Sequence, residues 1–178
     1  RDGWWKSLRA EKAMTLSEYA TSLVPMLRDL KMQILLEPGR FLVGNAGVLV
    51  TEVLYRKETG RKHFTIVDAG MNDLVRPALY EAYHQIEPVG KPRPGAISTD
   101  VVGPVCESGD VFCHDRSLAP LEKGDRVAIL SAGAYGFSMS SNYNTRPRPA
   151  EVLVTGTRAK VVRPREKVAA LWHGEKRS

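Results

Sequence analysis

The apolar pattern of the chain changes near residue 40, and this change restricts the possible folds more than any other feature of the sequence. Before it, apolar residues recur at helical spacing across residues 16–30, behind a capping box in which Glu18 follows Thr15 by three positions. We expect Pro25 to kink this helix. The apolar run at residues 34–36 predicts a buried strand, and a helix followed by a buried strand is typical of an α/β domain.

Beyond residue 40 the sequence is typical of antiparallel β structure. A β-branched run at residues 48–55, a polar turn with Gly60 and a second run at residues 63–67 predict a hairpin. Further strands are predicted at residues 99–102, 126–131, 151–155 and 159–162, of which the last two form a hairpin around Gly156.

Three other segments of this region receive a local prediction. Two prolines and a glycine make residues 91–95 a loop, whereas residues 74–83 stay ambiguous between helix and loop because Pro77 lies among them. Pro164 predicts the start of a short final helix. The buried side of that helix is expected to consist of Val168, Leu171 and Trp172.

We therefore predict a mainly β fold with an α/β remnant, in which residues 1–40 end an α/β domain and residues 41–178 form an antiparallel β domain. One helix and one strand cannot bury their own apolar faces. The rest of the α/β domain is expected to precede Arg1 or to come from another chain. The composition, 43% hydrophobic and 26% charged, is that of a soluble globular protein.

Composition also restricts the class of function. No apolar run approaches the roughly 20 residues that cross a bilayer, and the first five residues lack the apolar core of a signal peptide. We expect a cytoplasmic protein with no membrane partner. The two cysteines, Cys106 and Cys113, form no C-x-x-C pair, and the four histidines are scattered. These residues predict neither a disulfide framework nor a metal site.

The net charge of +6 raises the question of nucleic-acid binding. Part of the charge lies near the C-terminus, where Glu166 and Glu175 interrupt it and no aromatic stacking platform is interleaved. The basic residues of this region are Arg158, Lys160, Arg163, Arg165, Lys167, Lys176 and Arg177. This pattern favours a solvated face, so no nucleic-acid partner is expected.

Two stretches in the first half of the chain carry groups suited to chemistry. Residues 37–40, EPGR, follow the predicted buried strand at the end where α/β barrels build active sites. Gly39 would let a backbone N–H approach a phosphate, although a plain strand-terminating turn is the alternative. Arg76 and Tyr80 are four residues apart and share a face on a helical turn. They can grip a carboxylate, or form a surface salt bridge beside a core tyrosine.

Two further stretches follow in the second half. Residues 103–110, GPVCESGD, place Cys106 beside Glu107, which suits a thiol acid next to a cation-binding carboxylate. The alternative is a small buried hydrophobe. Within residues 131–151, glycines on both sides of Tyr135 imply a tight bend that presents a phenol, or otherwise a bulged strand.

In this order and spacing, the four stretches resemble the diaminopimelate decarboxylases, which are fold-type III pyridoxal-phosphate enzymes. The matching segments are EPGR at 37–40, VDAGMNDLVRPALYEAYH at 67–84, GPVCESGD at 103–110 and SAGAYGFSMSSNYNTRPRPAEVLV at 131–154. EPGR is shared with ornithine and arginine decarboxylases, whereas NDLVRPALY and SSNYNTRPRPAEVLV are more specific to the diaminopimelate branch.

The resemblance implies a C-terminal antiparallel β domain preceded by the last helix and strand of a (β/α)8 barrel. It also implies decarboxylation of meso-2,6-diaminopimelate to L-lysine with pyridoxal 5'-phosphate, in a homodimer with shared active sites. The family's cofactor-binding lysine and the histidine that stacks on the cofactor ring belong to the barrel. These 178 residues alone are therefore not expected to catalyse the reaction.

For the cofactor, the resemblance implies roles for the first and last stretches. Glu37 would face the pyridine nitrogen, where a carboxylate keeps that nitrogen protonated. Pro38, Gly39 and Arg40 would lie beside the cofactor, with Gly39 and Arg40 at its phosphate and substrate side. Tyr135 would contact both the cofactor phosphate and the substrate.

For the substrate, the resemblance implies roles for the middle stretches. Arg40, Arg76 and Tyr80 would hold the carboxylate that lies away from the reacting carbon. Glu107 would pair with the distal ammonium. Cys106 would return a proton to the substrate carbon after carbon dioxide leaves, and its segment would reach into the partner subunit's site.

Three alternatives remain open from the sequence. An ornithine- or arginine-type decarboxylase of the same fold would not need the cationic clamp of Arg76 with Tyr80, because its substrates lack a distal carboxylate. A non-catalytic regulatory relative would not require Cys106 beside Glu107. A basic nucleic-acid-binding domain is the alternative with least support.

Overall fold

The computed structural model of the chain describes residues 14–175. The expectations about the first five residues and about Lys176 and Arg177 lie outside the described residues. The chain divides into two compact units, with the boundary between Pro38 and Gly39. In the part that the structure describes, no helix has the length and apolar character to cross a membrane.

The first unit contains helix α1, Leu16–Arg28, which begins at the predicted capping box. The Glu18 N–H donates to Thr15 Oγ1 at 3.2 Å, and the Thr15 N–H donates to Glu18 Oε2 at 2.6 Å. Each residue thereby satisfies a backbone donor of the first turn, which confirms the capping box. Pro25 lies inside the helix, and no residue of α1 is buried within this chain.

The strand predicted at residues 34–36 does not form. Ile34, Leu35 and Leu36 are 41%, 81% and 63% exposed, and the segment has no regular structure. A strand acquires its backbone hydrogen bonds from neighbouring strands. The described part of the first unit, residues 14–38, contains no strand with which this apolar run could pair.

The second unit consists of a six-stranded sheet, a two-stranded sheet and short helical segments. The strands are β1 Leu49–Thr59, β2 Lys62–Val67, β3 Ile86–Pro88, β4 Ile97–Val102, β5 Val111–Leu118, β6 Arg126–Ile129, β7 Glu151–Thr155 and β8 Arg158–Arg163. The helices are α2 Gly39–Val43 and α3 Arg76–Tyr80, with 3-10 turns at Gly44–Ala46, Phe137–Met139, Tyr143–Thr145 and Val168–Ala170. The large sheet has the order β3-β6-β1-β2-β4-β5, and β7 pairs with β8.

This architecture confirms the predicted mainly β fold. Every strand pair is antiparallel except β2 with β4. The β1–β2 hairpin closes tightly because Thr59 pairs with Lys62, and the β7–β8 hairpin turns at Gly156 with a positive φ of 58°. The centre of the large sheet is packed by β-branched side chains with no exposed surface: Val53, Val67, Val101, Val127 and Ile129.

The prediction of a final helix is wrong about both the length of the helix and the burial of its side chains. Only the 3-10 turn Val168–Ala170 forms, and its preceding residue Lys167 makes no side-chain cap. Val168 and Trp172 are 51% and 46% exposed, so they are not the buried side of a helix. A segment this short gains little from backbone hydrogen bonds and depends on tertiary packing.

Candidate active site

Helix α2 and its following turn pack directly against the bend that carries Tyr135. The Gly133 N–H donates to the Gly44 carbonyl at 3.0 Å, and the Ala132 N–H donates to the Gly47 carbonyl at 2.9 Å. A Cβ on Gly133 would lie 2.0 Å from the Val43 carbonyl oxygen, so only glycine fits. The segment that directly follows Arg40 and the fourth sequence stretch are therefore held together by backbone contacts.

The bend itself matches the prediction of a tight turn. Tyr135 has a positive φ of 61°, which is uncommon for a residue with a side chain, and its side chain is exposed. A Cβ on Gly136 would lie 2.3 Å from the Ala132 carbonyl oxygen. The bulged-strand alternative is wrong, because residues 131–136 contain no strand. The turn presents the phenol to solvent in this chain.

Arg76 begins helix α3 and is half-buried between two side chains. Its Nη1 lies 3.4 Å from His84 Nε2, and its guanidinium carbon lies 5.8 Å from the centre of the Tyr135 ring. Burial lowers the pKa of Arg76, and the nearby charge of Arg40 lowers it further. The guanidinium nevertheless stays charged, since arginine is not deprotonated in proteins.

Two cations therefore share this side of the domain without a described counter-charge. Within residues 14–175, no ion pair joins Arg40 or Arg76 to a carboxylate. Cations that repel each other favour an anion between or beside them. The arrangement around Arg40, Arg76 and Tyr135 suits a carboxylate or phosphate ligand.

Tyr80 ends helix α3 four residues after Arg76, so the two lie on one helical face as predicted. Its side chain is 54% exposed, which contradicts the alternative of a core tyrosine. Burial and the charge of Arg40 lower the pKa of Arg76. Tyr135 and Tyr80 act in the opposite direction and raise it. Tyr80 is therefore an exposed hydroxyl on the same face of α3 as Arg76.

The loop that carries Cys106 and Glu107 is fixed by the buried carboxylate of Asp110. Asp110 Oδ1 accepts from the Met71 N–H at 2.6 Å, and Oδ2 accepts from the Val105 N–H at 2.7 Å. A Cβ on Gly103 would lie 2.3 Å from Asp110 Oδ2. Burial raises the pKa of Asp110 against these hydrogen bonds. Asp110 thus attaches the third sequence stretch to the second.

Cys106 and Glu107 are both exposed on this loop, so the alternative of a buried hydrophobic cysteine is wrong. Glu107 Oε2 accepts from the Tyr143 hydroxyl at 3.3 Å, and Oε1 accepts from the Gly109 N–H at 3.3 Å. One carboxylate edge is thereby oriented by the fourth stretch. Among the described residues, no cluster of three histidine, cysteine or acidic side chains is arranged to hold a metal ion.

The EPGR stretch is divided between the two units. Glu37 and Pro38 are exposed residues of the first unit, whereas Gly39 and Arg40 begin helix α2 of the second. The sequence predicted that EPGR follows the end of a buried strand, and this prediction is wrong. In the structure Gly39 is the first residue of helix α2. The roles of Glu37 and Pro38 stay predictions, while Arg40 lies near Arg76.

Comparison with known proteins places this arrangement in a family. Residues 17–133 match the family model of the C-terminal sheet domain of pyridoxal-dependent decarboxylases. The chain belongs to this decarboxylase family. The match covers the large sheet from β1 to β6, α2, α3, and the loop with Cys106 and Glu107, and ends at Gly133.

Individual relatives of this decarboxylase sheet domain are similar over most of the chain. The diaminopimelate decarboxylase of Vibrio cholerae is 53% identical over 158 residues, which are 88% of this chain and 37% of that protein. The crystal structure of the Helicobacter pylori diaminopimelate decarboxylase complexed with L-lysine is 45% identical, with a TM-score of 0.81 over 91% of this chain and 40% of its own. The M. jannaschii diaminopimelate decarboxylase in co-complex with L-lysine is 40% identical, with a TM-score of 0.86 over 94% and 40%.

The chain therefore spans about 40% of the length of the relatives that it matches. Its described residues nonetheless suit the cofactor that gives the family its name. Pyridoxal phosphate carries a phosphate, and this decarboxylase domain has an exposed Arg40 on α2 and an exposed Tyr135 on the bend against which the α2 segment packs. A cation with an adjacent hydroxyl donor is a donor set that binds phosphate.

Sequence reasoning gave no individual role to the residues that connect the second and fourth stretches. Arg146 Nε donates to Asn72 Oδ1 at 2.9 Å, and its Nη2 donates to the Asp68 carbonyl oxygen. Asp73 Oδ2 accepts from the Gly70 N–H at 2.9 Å, and burial raises the pKa of Asp73. The sequence motifs NDL and RPRP contain Asn72, Asp73 and Arg146, but only the hydrogen bonds of Arg146 show that the second and fourth stretches are joined.

Replacing Gly133 with alanine in the complete decarboxylase is expected to lower the free energy of unfolding by about 1–3 kcal/mol, as overpacking does. The new methyl group would overlap the Val43 carbonyl and the Gly47 backbone and push α2 away from Tyr135. Denaturant unfolding and kcat/KM would both be measured. Gly60→Ala is the matched control, because open space surrounds Gly60. Equal stability and activity for both variants would contradict the backbone contact.

Proposed function

We propose that the chain is the sheet-domain part of a diaminopimelate decarboxylase, which removes carbon dioxide from the D-centre of meso-2,6-diaminopimelate and releases L-lysine. The named relatives at 45–53% identity support this assignment. Because the chain spans about 40% of their length, the activity belongs to the complete protein, including a barrel domain.

The observation that carries the proposal is the cationic clamp around Arg76. The half-buried guanidinium lies between His84 and the Tyr135 ring, near a second cation, Arg40, and on the helical face of Tyr80. Diaminopimelate differs from simple basic amino acids by a second carboxylate, far from the reacting carbon. Arg76, Arg40 and Tyr80 supply the charge and the hydroxyl that such a carboxylate requires.

The cofactor is pyridoxal 5'-phosphate, and five residues of this chain would hold it. Gly39 and Arg40 would lie at its phosphate and substrate side and Tyr135 would contact its phosphate, with Pro38 beside it and Glu37 at the pyridine nitrogen. When bound, the cofactor supplies an electron sink that stabilises negative charge on the reacting carbon.

Cys106 and Glu107 supply the remaining chemistry. Cys106 Sγ delivers a proton to the substrate carbon after carbon dioxide leaves, so that the product departs as an amino acid. Glu107 pairs with the distal ammonium, and the Tyr143 hydroxyl orients its carboxylate from 3.3 Å. The two side chains are exposed on one loop, which leaves them accessible to a neighbouring subunit. A homodimer in which each loop completes the partner's site is therefore part of the proposal.

The enzyme is further proposed to act in lysine biosynthesis in the cytoplasm. The product that follows from the proposed reaction is L-lysine itself, and two related structures contain L-lysine. A reaction that forms an amino acid from a soluble diacid requires neither a membrane nor a nucleic acid as partner.

The complete protein with pyridoxal phosphate tests this assignment. Carbon dioxide and L-lysine would be measured with meso-diaminopimelate, and carbon dioxide alone with L-ornithine and L-arginine. We expect kcat/KM for diaminopimelate to be at least about a hundredfold higher, because the other substrates leave the clamp without its carboxylate. Preference for L-ornithine or L-arginine would identify the alternative decarboxylase type. Cofactor binding without turnover of any substrate would identify a non-catalytic relative.

A further inference from the structure

We propose that His84 is the positioning residue that holds the Arg76 guanidinium ready for the substrate carboxylate, and that it thereby helps to select carboxylate-bearing ligands. The inference rests on the proposed function of Arg76 and adds a residue for which the sequence predicted no role. His84 is 1% exposed, so its ring is buried inside the domain and is not available to contact a ligand directly.

The hydrogen bonds of His84 define which ring nitrogen faces Arg76. His84 Nδ1 lies 2.8 Å from the Leu130 carbonyl oxygen, and a carbonyl only accepts. Nδ1 therefore carries the proton, and Nε2 presents a lone pair when the ring is neutral. Arg76 Nη1 lies 3.4 Å from Nε2, and a guanidinium only donates. The pair can interact favourably in one tautomer alone, the neutral Nδ1–H form.

The surroundings of His84 favour that neutral form. Burial lowers the pKa of His84, and the positive charges of Arg76 and Arg40 lower it further, against the hydrogen bond to Leu130. A protonated ring would place a second cation against the guanidinium and remove the acceptor. Neutral His84 is thus a stable acceptor that does not compete with the ligand for the positive charge of Arg76.

The backbone explains why His84 reaches Arg76 from eight residues along the chain. Glu81 ends α3 in the left-handed conformation with φ of 51°, and the Ala82 N–H returns to the Arg76 carbonyl at 3.3 Å. The chain therefore reverses and passes back beside the start of the helix. Arg116 Nη1 then donates to the His84 carbonyl at 3.1 Å, which anchors the returning segment on β5.

Two fixed contacts leave the rest of the guanidinium for a ligand. His84 Nε2 engages Nη1, and the Tyr135 ring lies 5.8 Å from the guanidinium carbon. Arginine has five N–H donors in a planar fork, so a carboxylate can still bind by two of them. Without His84 the long side chain would adopt other rotamers, and binding a carboxylate would require it to be ordered again.

The test compares two ligands that differ in one group. Loss of carbon dioxide from the D-centre leaves the L-centre intact, so L-lysine keeps the distal carboxylate of the substrate. Cadaverine is L-lysine without that carboxylate. Calorimetric titration of the complete enzyme with each ligand isolates the contribution of the clamp, and it does not depend on turnover.

Two substitutions separate the acceptor of His84 from its bulk. His84→Asn keeps a donor near the Nδ1 position for Leu130 but has no acceptor that reaches Arg76, whereas the Oε1 of His84→Gln occupies the place of Nε2. We expect His84→Asn to weaken L-lysine binding about tenfold, the cost of ordering one long side chain on binding, and cadaverine binding less than about twofold. His84→Gln restores most of the L-lysine affinity. In an Arg76→Leu background, His84→Asn has no further effect.

Three results would overturn the inference: equal losses for L-lysine and cadaverine, identical behaviour of the Asn and Gln variants, or an undiminished effect of His84→Asn in the Arg76→Leu background. Melting temperatures of the variants, measured alongside, separate a loss of folding from a loss of positioning. A wild-type enzyme that binds L-lysine no more tightly than cadaverine would instead refute the clamp of the proposed function itself.

Discussion

Replacing Arg76 with alanine in the complete enzyme is expected to reduce transition-state stabilisation for meso-diaminopimelate by about 2–5 kcal/mol, or roughly 30- to 4,000-fold in kcat/KM. The loss is large because the substrate carboxylate would remain desolvated beside Arg40 and Tyr80 without its principal cation. D-Lysine, which lacks the distal carboxylate, should be a poor substrate for the wild-type enzyme and lose little more in the variant. Initial rates with both substrates measure the difference.

Arg56 provides a matched control for this substitution. It is a partly exposed arginine on β1 whose Nη1 pairs with Glu122 at 3.0 Å, outside the four functional stretches. Arg56→Ala is expected to leave kcat/KM for both substrates unchanged, because an exposed ion pair of this kind contributes about 0–1 kcal/mol to stability. If Arg76→Ala lowered the rates with diaminopimelate and D-lysine equally, Arg76 would be structural, and the ornithine-type alternative would gain support.

The strands that were predicted from sequence are those in which apolar and polar residues alternate or β-branched residues dominate. β1, β2, β4, β6, β7 and β8 follow such runs, and the β1–β2 and β7–β8 hairpins also have a glycine at the turn. The capping box was predictable for a similar reason, because it depends on two residues three positions apart. Local patterns predict elements whose stabilising contacts are themselves local.

Strand β5 shows where local patterns are insufficient. His114, Asp115 and Arg116 interrupt its alternation, and the pairing with β4 shifts register between Thr99 and Val101. The irregularity is fixed by a buried residue of another strand, since Asp100 accepts from the Asp115 N–H at 2.8 Å and from the His114 ring at 3.0 Å. The sequence of β5 contains no sign of this partner.

The same carboxylate also receives the Lys62 ammonium at 2.9 Å. Burial acts to raise the pKa of Asp100, but the hydrogen bonds from the Asp115 N–H, His114 and Lys62 together outweigh burial and hold it below its ordinary value. Asp100 therefore remains ionised and keeps β2, β4 and β5 together. A bulge that depends on residues 15 and 38 positions away from Asp100 cannot be read from a window of neighbouring residues.

The candidate site shows the same difference between what the sequence predicts and what long-range contacts determine. Resemblance supplied its residues, and their roles in binding stay predictions. The structure adds the supports that hold them in place, such as the Gly47–Gly133 contact, Asp110 beneath the Cys106 loop and His84 beneath Arg76. Each support depends on a contact between positions far apart in sequence, namely Gly47 with Gly133, Asp110 with Met71 and His84 with Leu130. These contacts involve glycines or buried polar groups, whose partners no spacing rule identifies.

Replacing Cys106 with alanine in the complete enzyme is expected to slow lysine formation by about 10²- to 10⁴-fold, the usual contribution of a positioned general acid. The thiol is exposed on the loop that Asp110 fixes, so its removal leaves the fold intact. Without this donor, more turnovers should deliver the proton to the cofactor and end in pyridoxamine phosphate. Lysine and pyridoxamine phosphate released per carbon dioxide give the partition.

Cys113 is the control for this experiment. It is buried on β5, where burial raises the pKa of its thiol, and it lies outside the GPVCESGD stretch. Cys113→Ala is expected to lower stability through a small cavity without changing the ratio of lysine to carbon dioxide. A Cys106→Ala enzyme with wild-type rate and product ratio would show that the Cys106 thiol does not donate the proton.

Subunit mixing tests whether the Cys106 loop serves the partner's site. A Cys106→Ala dimer is combined with a dimer that lacks the cofactor lysine of the barrel, and the subunits are allowed to exchange. In a mixed dimer with shared sites, one site receives an intact lysine from one chain and an intact thiol from the other, while the second site receives neither. Half of the dimers are mixed at equal concentrations, so activity should recover to about a quarter of the wild-type value, as two-fold symmetry requires. Activity that stays at the level of the parent dimers would instead place the thiol and the lysine of each site on the same chain.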